Sequence, residues 1–554
     1  MWKKFKRLIV KHKTYLLGLA SVLVGTLLFV ALFWNKSITL VEGWYNLYAQ
    51  FILQEGLVPY KDFPLIVPPI ALGLWTVVQA VFGNTLVVFR VMDIGVKLVL
   101  GGSFYHLFTR FYSEKIAVLG ALIVNFIFIS SIFDNGVPSY NIYAIILGRA
   151  FLKQLFVKNT ISNGALWGIG TLFALSFLNK QTSGPLTIIA VCAVLHLAVW
   201  RQKGFKEMCK VFLKLLASSL VVVGLVWIAL AVWGCLPDYL SQVFLSESKG
   251  SIGDIFCRRI VEIFVSYAFV RALLLGGILS FIIQVLVSNK ILRLYKTPSF
   301  MMNKKRMGLF ALCVLGGILA AIGCAWIKTA HSVPEYNFHL STYSGNINAF
   351  IIAGLCLFVF LCLYSTLMVL FVKKRTYRVY AELLLYISFL AMAYSAVLSY
   401  GFPVSYPYVL AIVFCFLFKQ RIQWNWTKDI VLLGFAGLVA FFCVSMKLES
   451  PSFFHGWRAG SVVQPLEKSF IPALRGLKIP VEEKKMLEDI YTDVQHYTDP
   501  SDPILAFNNN QVFYLLLNRP PYTRYVSYYY DVSPDSESLQ TIEKMKRGPL
   551  PKAI

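Results

Sequence analysis

The chain has 554 residues, of which 58% are hydrophobic and only 14% charged, and its mean hydropathy is +0.66. A soluble protein of this length exposes far more charge, and a membrane β-barrel would show short alternating segments that are absent here. The formal net charge of +25 would suit nucleic acid on a soluble protein, but the Lys and Arg fall in alternate short loops between apolar runs, so a membrane partner is expected and no nucleic acid.

Those apolar runs recur from end to end near the length of about 20 residues that crosses a bilayer as helix. Backbone in lipid must satisfy its own polar groups, so each run is expected to be helical. The first covers 15–34 and follows the basic stretch Lys3-Lys4-Phe5-Lys6-Arg7. It is too long for a signal-peptide core, and Phe33-Trp34-Asn35-Lys36 is no small-residue cleavage site, so an uncleaved anchor with a cytoplasmic N-terminus is expected.

A first outer loop then covers about 35–85. Within it Trp44, Tyr45, Leu47, Tyr48, Phe51 and Ile52 recur at helical spacing and suit a helix lying in the membrane interface. The stretch 68–82 is expected to lie along the outer surface, because Gly83-Asn84 lacks the positive charge of a cytoplasmic turn. Further spans are expected at 86–108, 116–133, 138–157, 164–178, 185–200, 211–233, 263–287, 309–327, 347–372, 381–400, 407–418 and 430–446. An odd total of about 13 puts the C-terminal tail outside. Asp93 and Lys97, one turn apart inside the second span, are expected to pair.

All ten cysteines lie between Cys192 and Cys443, with neither zinc spacing nor a disulfide framework. One bridge, Cys235 to Cys257, is open within the outer loop 234–262, which also carries Glu247, Asp254, Arg258 and Arg259. The fold expected is therefore an all-α polytopic membrane domain over 1–446, followed by a small α/β extracytoplasmic domain over 447–554. In that tail Pro480-Val481-Glu482-Glu483 opens an amphipathic helix with Met486, Ile490 and Val494 on one face. Ile504 to Phe507 reads as a buried strand, and a second helix near 511–517 ends at Arg519-Pro520-Pro521.

Titratable groups at membrane depth are costly and hint at function. Glu42, Asp62, Asp134 and Lys180 fall at the ends of the first, third and fifth spans, all on one side. Asp134 is either a substrate contact, with Tyr140 and Asn141 after it, or a cap for the fourth span. His331, Glu335 and His339 have a metal-ligand spacing, but Pro334 interrupts it and no third His is near, so no metal site is expected. The segment 401–406 reads as an acceptor entrance or an ordinary turn.

Several of these residues together resemble a known family. Glu42-Gly43-Trp44-Tyr45, then Pro59-Tyr60-Lys61-Asp62-Phe63 and Pro68-Pro69, are similar to the first outer loop of the GT-C membrane glycosyltransferases. The nearest branch is the one holding protein O-mannosyltransferases and aminoarabinose transferases. Phe89-Arg90, Leu178-Asn179-Lys180-Gln181-Thr182, Pro503-Ile504-Leu505, Tyr514-Leu515-Leu516 and Arg519-Pro520-Pro521 follow in the family's order. The resemblance implies an inverting transferase with a polyprenyl-phosphate sugar as donor and a glycan, lipid or protein as acceptor. It implies a first-loop carboxylate as base, either Glu42 or Asp62, because the family's Asp-Glu pair stands here as Val41-Glu42. The family's Lys before Pro-Pro is Val67 here, which leaves Lys180, helped by Arg258, for the lipid phosphate. Tyr45, Tyr60, Asp134, Tyr140, Asn141 and Gln181 are the substrate contacts it implies. No cofactor is expected, a divalent cation being left open. The rival readings are a lipid-linked glycan flippase or transporter, and a polysaccharide polymerase or ligase.

Overall fold

A computed structural model describes residues 2–40, 42–65, 67–131, 137–181, 184–244, 376–400, 460–507, 510–526 and 535–554, with short pieces at 411, 437, 440–441, 443–444, 447–448, 453–454 and 457–458. Asp134, Cys257, Arg258, the His331/Glu335/His339 spacing, the 401–406 segment and the expected spans at 263–287, 309–327 and 347–372 lie outside the described residues. The spans at 407–418 and 430–446 are described only at isolated positions.

The described chain is mostly helical. Helices α1 (Trp2–Ala31), α4 (Leu86–Phe108), α5 (Glu114–Ser131), α6 (Val137–Lys153), α7 (Asn163–Asn179), α8 (Gly184–Lys203), α9 (Phe205–Val232) and α11 (Tyr377–Tyr400) fall on expected spans. The first starts 13 residues before its apolar run, because Lys, Arg, Leu and Val upstream carry no helix breaker. Local caps fix other starts. Thr85 Oγ1 accepts from the Val88 N–H at 3.2 Å, and Ser162 Oγ from the Ala165 N–H at 3.4 Å. Among the described residues, three helices, Lys13–Ala31, α8 and α9, are long and apolar enough to cross a membrane by length and composition. The outer face of α9 presents Leu220, Leu225 and Ile228 to the surroundings, as a lipid-facing stripe does.

Small residues let these helices approach closely, the usual device where no hydrophobic drive separates helix from lipid. At Gly170 of α7, a Cβ would strike Ser218 Oγ and the Leu215 carbonyl oxygen of α9, and Ser219 Oγ donates to the Gly170 carbonyl at 2.9 Å. Among α1, α4 and α5, Asn125 donates to Thr26 Oγ1 at 2.9 Å and to the Lys97 carbonyl at 3.2 Å. Asp93 and Lys97 pair at 3.9 Å, as their spacing suggests.

Helix α2 (Trp44–Leu53) and helix α3 (Pro69–Phe82) form the body of the first loop and pack on each other. The 14 residues of α3 rise about 21 Å, short of the ~30 Å hydrocarbon core. Its Leu72, Trp75 and Gln79 are buried while Leu74, Val77 and Val81 are exposed. The region after α9 is not plain loop: Leu236–Phe244 forms helix α10, with Tyr239 and Val243 buried.

The tail differs from expectation in three ways. Much of its apolar core is shared with the first loop, beside a small cluster of its own formed by Leu505, Tyr522 and Tyr525. Ile504, Tyr514, Leu517 and Val526 cluster with Tyr45, Phe63 and Trp75, while Ile471, Leu474, Leu477 and Val512 cluster with Ile38 and Leu86. Backbone bonds lock the two: Ser37 N–H to the Lys478 carbonyl at 2.7 Å, and Lys478 N–H to the Asn35 carbonyl at 2.9 Å. Tail and first loop therefore pack together as one unit at the same end of the described helices. Second, the strand expected at 504–507 is only an extended piece making isolated bridges from Ile504 to Pro521 and Ala553. The described strands are two short antiparallel pairs, β1 (Phe453–Phe454) with β2 (Trp457–Arg458), and β3 (Leu466–Glu467) with β4 (Ile479–Pro480). Third, in helix α12 (Val481–Tyr497), which Pro480 precedes as its cap residue, Leu487 is buried and Ile490 and Val494 are half-buried against the core, while Met486 is exposed. Helices α13 (Val512–Leu517) and α14 (Asp535–Arg547) complete the tail.

Two stability predictions arise here. Arg519 is buried and donates to Thr498 Oγ1, the Thr498 carbonyl and Gln495 Oε1, each at 2.9 Å. Arg519→Leu strands those acceptors and should cost about 2–3 kcal/mol, seen as earlier thermal release and proteolysis of the tail. Burial pushes the Glu483 carboxyl above its ordinary range. The folded state then holds its proton more tightly, so stability from this group falls as pH rises from the ordinary glutamate value through the raised one. Glu483→Gln should stabilise modestly at pH 7 and not below the ordinary glutamate value, as melting curves at the two pH values would record.

Candidate active site at the loop end of the bundle

The first loop holds two candidate carboxylates, and their surroundings differ. Glu42 follows a turn in which its Oε2 accepts from the Thr39 N–H at 3.4 Å. Arg90, one turn into α4, reaches it with a fork: Nε to Oε1 at 2.7 Å and Nη2 to Oε2 at 2.9 Å. The same guanidinium donates to the carbonyls of Trp34 at 2.9 Å, Lys36 at 3.4 Å and Ser37 at 2.6 Å. The side chains of Arg90 and Glu42 are 12% and 8% exposed. Both Glu42 oxygens are thus occupied, and the pair fastens the end of α1 and the loop to α4.

Asp62 sits in a tighter turn. Its Oδ2 accepts from the Val58 N–H at 2.7 Å, and its own N–H donates to the Val58 carbonyl at 2.9 Å. Tyr60 between them has φ +69°, the left-handed region that a tyrosine rarely adopts. Asp62 is half-buried beside exposed Lys61, and among the described residues its second oxygen makes no hydrogen bond.

Helix α10 clamps this turn. Gln242 donates through Nε2 to the Tyr60 carbonyl at 2.6 Å and accepts at Oε1 from the Leu65 N–H at 2.9 Å. Two residues on, Phe244 stacks on Phe177 of α7 at 5.5 Å. That helix ends at Asn179, and Lys180 follows as its cap, buried, with its N–H donating to the Ser176 carbonyl at 3.0 Å. Ser176 Oγ donates to Asn141 Oδ1 of α6 at 3.4 Å. Leu178 packs in one cluster with Ile70 at the start of α3. The Asp62 turn, α10, Lys180 and Asn141 are therefore joined by contiguous contacts at one end of the bundle. Tyr140 and Gln181 are half-buried at the same end.

Two expected substrate contacts are packing residues. Tyr45 is buried and stacks on Trp75 at 5.8 Å and Phe89 at 6.3 Å. Tyr60 is buried, donates to the Val67 carbonyl at 2.8 Å and meets the Tyr239 ring edge-on at 5.1 Å. Burial, then the nearby Tyr239, holds its phenol well above the usual range. Both rings are packed among α2, α3, α4 and α10. Cys235 is a buried free cysteine among the described residues, and Cys257, its possible partner, lies outside them. Sequence reasoning missed Gln242. Leu236-Pro237-Asp238, with Pro and an acid in a first turn, was the available helix signal. Among the described residues, no three His, Cys, Asp or Glu side chains gather as a metal site would need.

No protein-family model and no curated protein matches this chain. Among solved structures, that of ArnT from Cupriavidus metallidurans bound to undecaprenyl phosphate is similar, at 13% identity over 72% of this chain and 77% of that one. The TM-score is 0.31, and a likeness of that size carries no argument about fold or function.

Proposed function

We propose that this chain is a membrane glycosyltransferase of the GT-C type. It takes a sugar from a polyprenyl-phosphate donor and moves it to a cell-envelope glycan, lipid or protein on the extracytoplasmic face. The observation that carries the reading is the division of labour between the two loop acids. Glu42 is held by Arg90 on both oxygens, while Asp62 keeps one oxygen open on a braced turn, at the same end of the bundle as buried Lys180. The motif order along the chain agrees with it.

In this reading Asp62 accepts the proton of the acceptor hydroxyl. The freed oxygen forms its bond to the anomeric carbon from the side opposite the phosphate. The carbon–oxygen bond to the phosphate breaks, its electron pair leaves with the phosphate, and the configuration inverts. The growing charge on that phosphate is met by the Lys180 ammonium. Asn141 and Gln181, near Lys180, are suited to sugar hydroxyls.

The test is turnover of undecaprenyl-phosphate monosaccharides by the purified full chain in lipid nanodiscs. Release of undecaprenyl phosphate supports the reading. Consumption only of a lipid-diphosphate glycan would favour the polymerase or ligase, and transbilayer movement without cleavage the flippase. Lys180→Met should weaken undecaprenyl phosphate binding about 10- to 100-fold, the worth of one charge-assisted hydrogen bond of ~1.5–3 kcal/mol. Unchanged binding would remove Lys180 from the site.

A further inference from the structure

The opposite end of the bundle holds a feature that sugar transfer does not use. Arg149, on the last turns of α6, is half-buried between helices. Its guanidinium lies 4.7 Å from the centroid of the Phe111 ring and 5.7 Å from that of Tyr377 at the start of α11. Its Nε is buried and has no hydrogen-bond partner. Arg110, exposed just after α4 and next in the chain to Phe111, donates to His106 Nε2. Among the described residues neither arginine forms an ion pair. Two like charges thus stand close to one aromatic-walled stretch of the bundle, and among the described residues neither has an ion-pair partner.

Such a pair raises the free energy of the empty protein and is relieved by an anion. The His106 ring meets Tyr143 edge-on at 6.0 Å, so the wall beside Arg110 is aromatic as well. Guanidinium forks suit phosphate oxygens bidentately, and aromatic faces beside them suit an amphiphile. Basic notches between membrane helices at the cytoplasmic leaflet receive lipid head groups. This end also carries Lys115, Lys153, Lys158 and Lys203, the charge bias of a cytoplasmic face.

We infer that Arg110 and Arg149 form a site for the phosphodiester of an anionic phospholipid of the cytoplasmic leaflet, separate from the donor site at the other end. The experiment titrates fluorescent phosphatidylglycerol into the purified full chain in neutral detergent, with phosphatidylcholine as control and inorganic phosphate as competitor. Selective binding of phosphatidylglycerol is expected. Arg110→Ala, at an exposed position, should weaken it about 5-fold, the worth of one cation near a charged lipid surface. Arg149→Gln should weaken it by at least as much, and Arg149→Lys should recover part of the loss. Equal binding of both lipids, or affinities unchanged in Arg110→Ala, would overturn the site. Inorganic phosphate displacing the lipid at matched concentration would assign the notch to a soluble anion and overturn the lipid. Undecaprenyl phosphate release by Arg110→Ala should stay at the unmodified level, so failure here is distinguishable from failure of the transferase reading.

Discussion

Arg90→Leu should undo the first loop. The guanidinium is the common acceptor-filler for Glu42 and for the carbonyls of Trp34, Lys36 and Ser37. Removing it leaves the Glu42 carboxylate with only the Thr39 N–H, and several carbonyls buried without their donor. Breaking a buried pair by deleting one partner costs about 3–5 kcal/mol, a large part of a total stability of roughly 5–15 kcal/mol. Because Ser37 and Asn35 also bond Lys478, the loss should spread into the tail. The expected result is protein that still inserts but whose tail is cut rapidly by protease. Arg90→Lys should rescue little, since one ammonium cannot fill a fork and three carbonyls. Arg90→Met combined with Glu42→Met should be more stable than Arg90→Leu alone, as removing both charges leaves no buried carboxylate orphaned. A tail as protease-resistant in Arg90→Leu as in the unmodified chain would show that the fork is not what anchors the loop.

Asp62→Asn should abolish sugar transfer while the fold survives. The amide oxygen can still accept from the Val58 N–H, so the turn keeps its brace. What disappears is the basic oxygen. Removal of a general base lowers turnover about 100- to 10,000-fold, and donor affinity should change little, since the phosphate is held elsewhere. Glu42→Gln should behave in the opposite sense, with lower stability and turnover per folded molecule largely kept. The measurement is turnover against undecaprenyl phosphate affinity for both variants, normalised to correctly folded protein. Retained turnover in Asp62→Asn would exclude it as the base.

How far the sequence could be read depends on what kind of interaction set each feature. Helix α4 begins and ends where its apolar run does, because Thr85 caps the start locally. Helix α10 escaped notice because its nine residues are too few for a span and its burial is against elements far away in sequence. The identity of Glu42, Arg90 and Asp62 as notable residues was legible. Their roles were not, since a fork between α4 and the loop end decides which acid remains open. Tyr45 and Tyr60 look the same in sequence whether they face a substrate or a core, and only their stacking on Trp75, Phe89 and Tyr239 tells them apart. The tail's union with the first loop rests on backbone bonds and shared apolar faces, neither of which has a local signature.

The most direct measurement uses undecaprenyl phosphate bearing a photoreactive diazirine beside its phosphate, bound to the full chain in nanodiscs and irradiated. Adducts should appear on the peptide around 58–65 and on the one around 177–184, and Lys180→Met should diminish both. Adducts confined to the far end of the bundle, or absent from both peptides, would mean that Asp62 and Lys180 do not share a lipid-phosphate site.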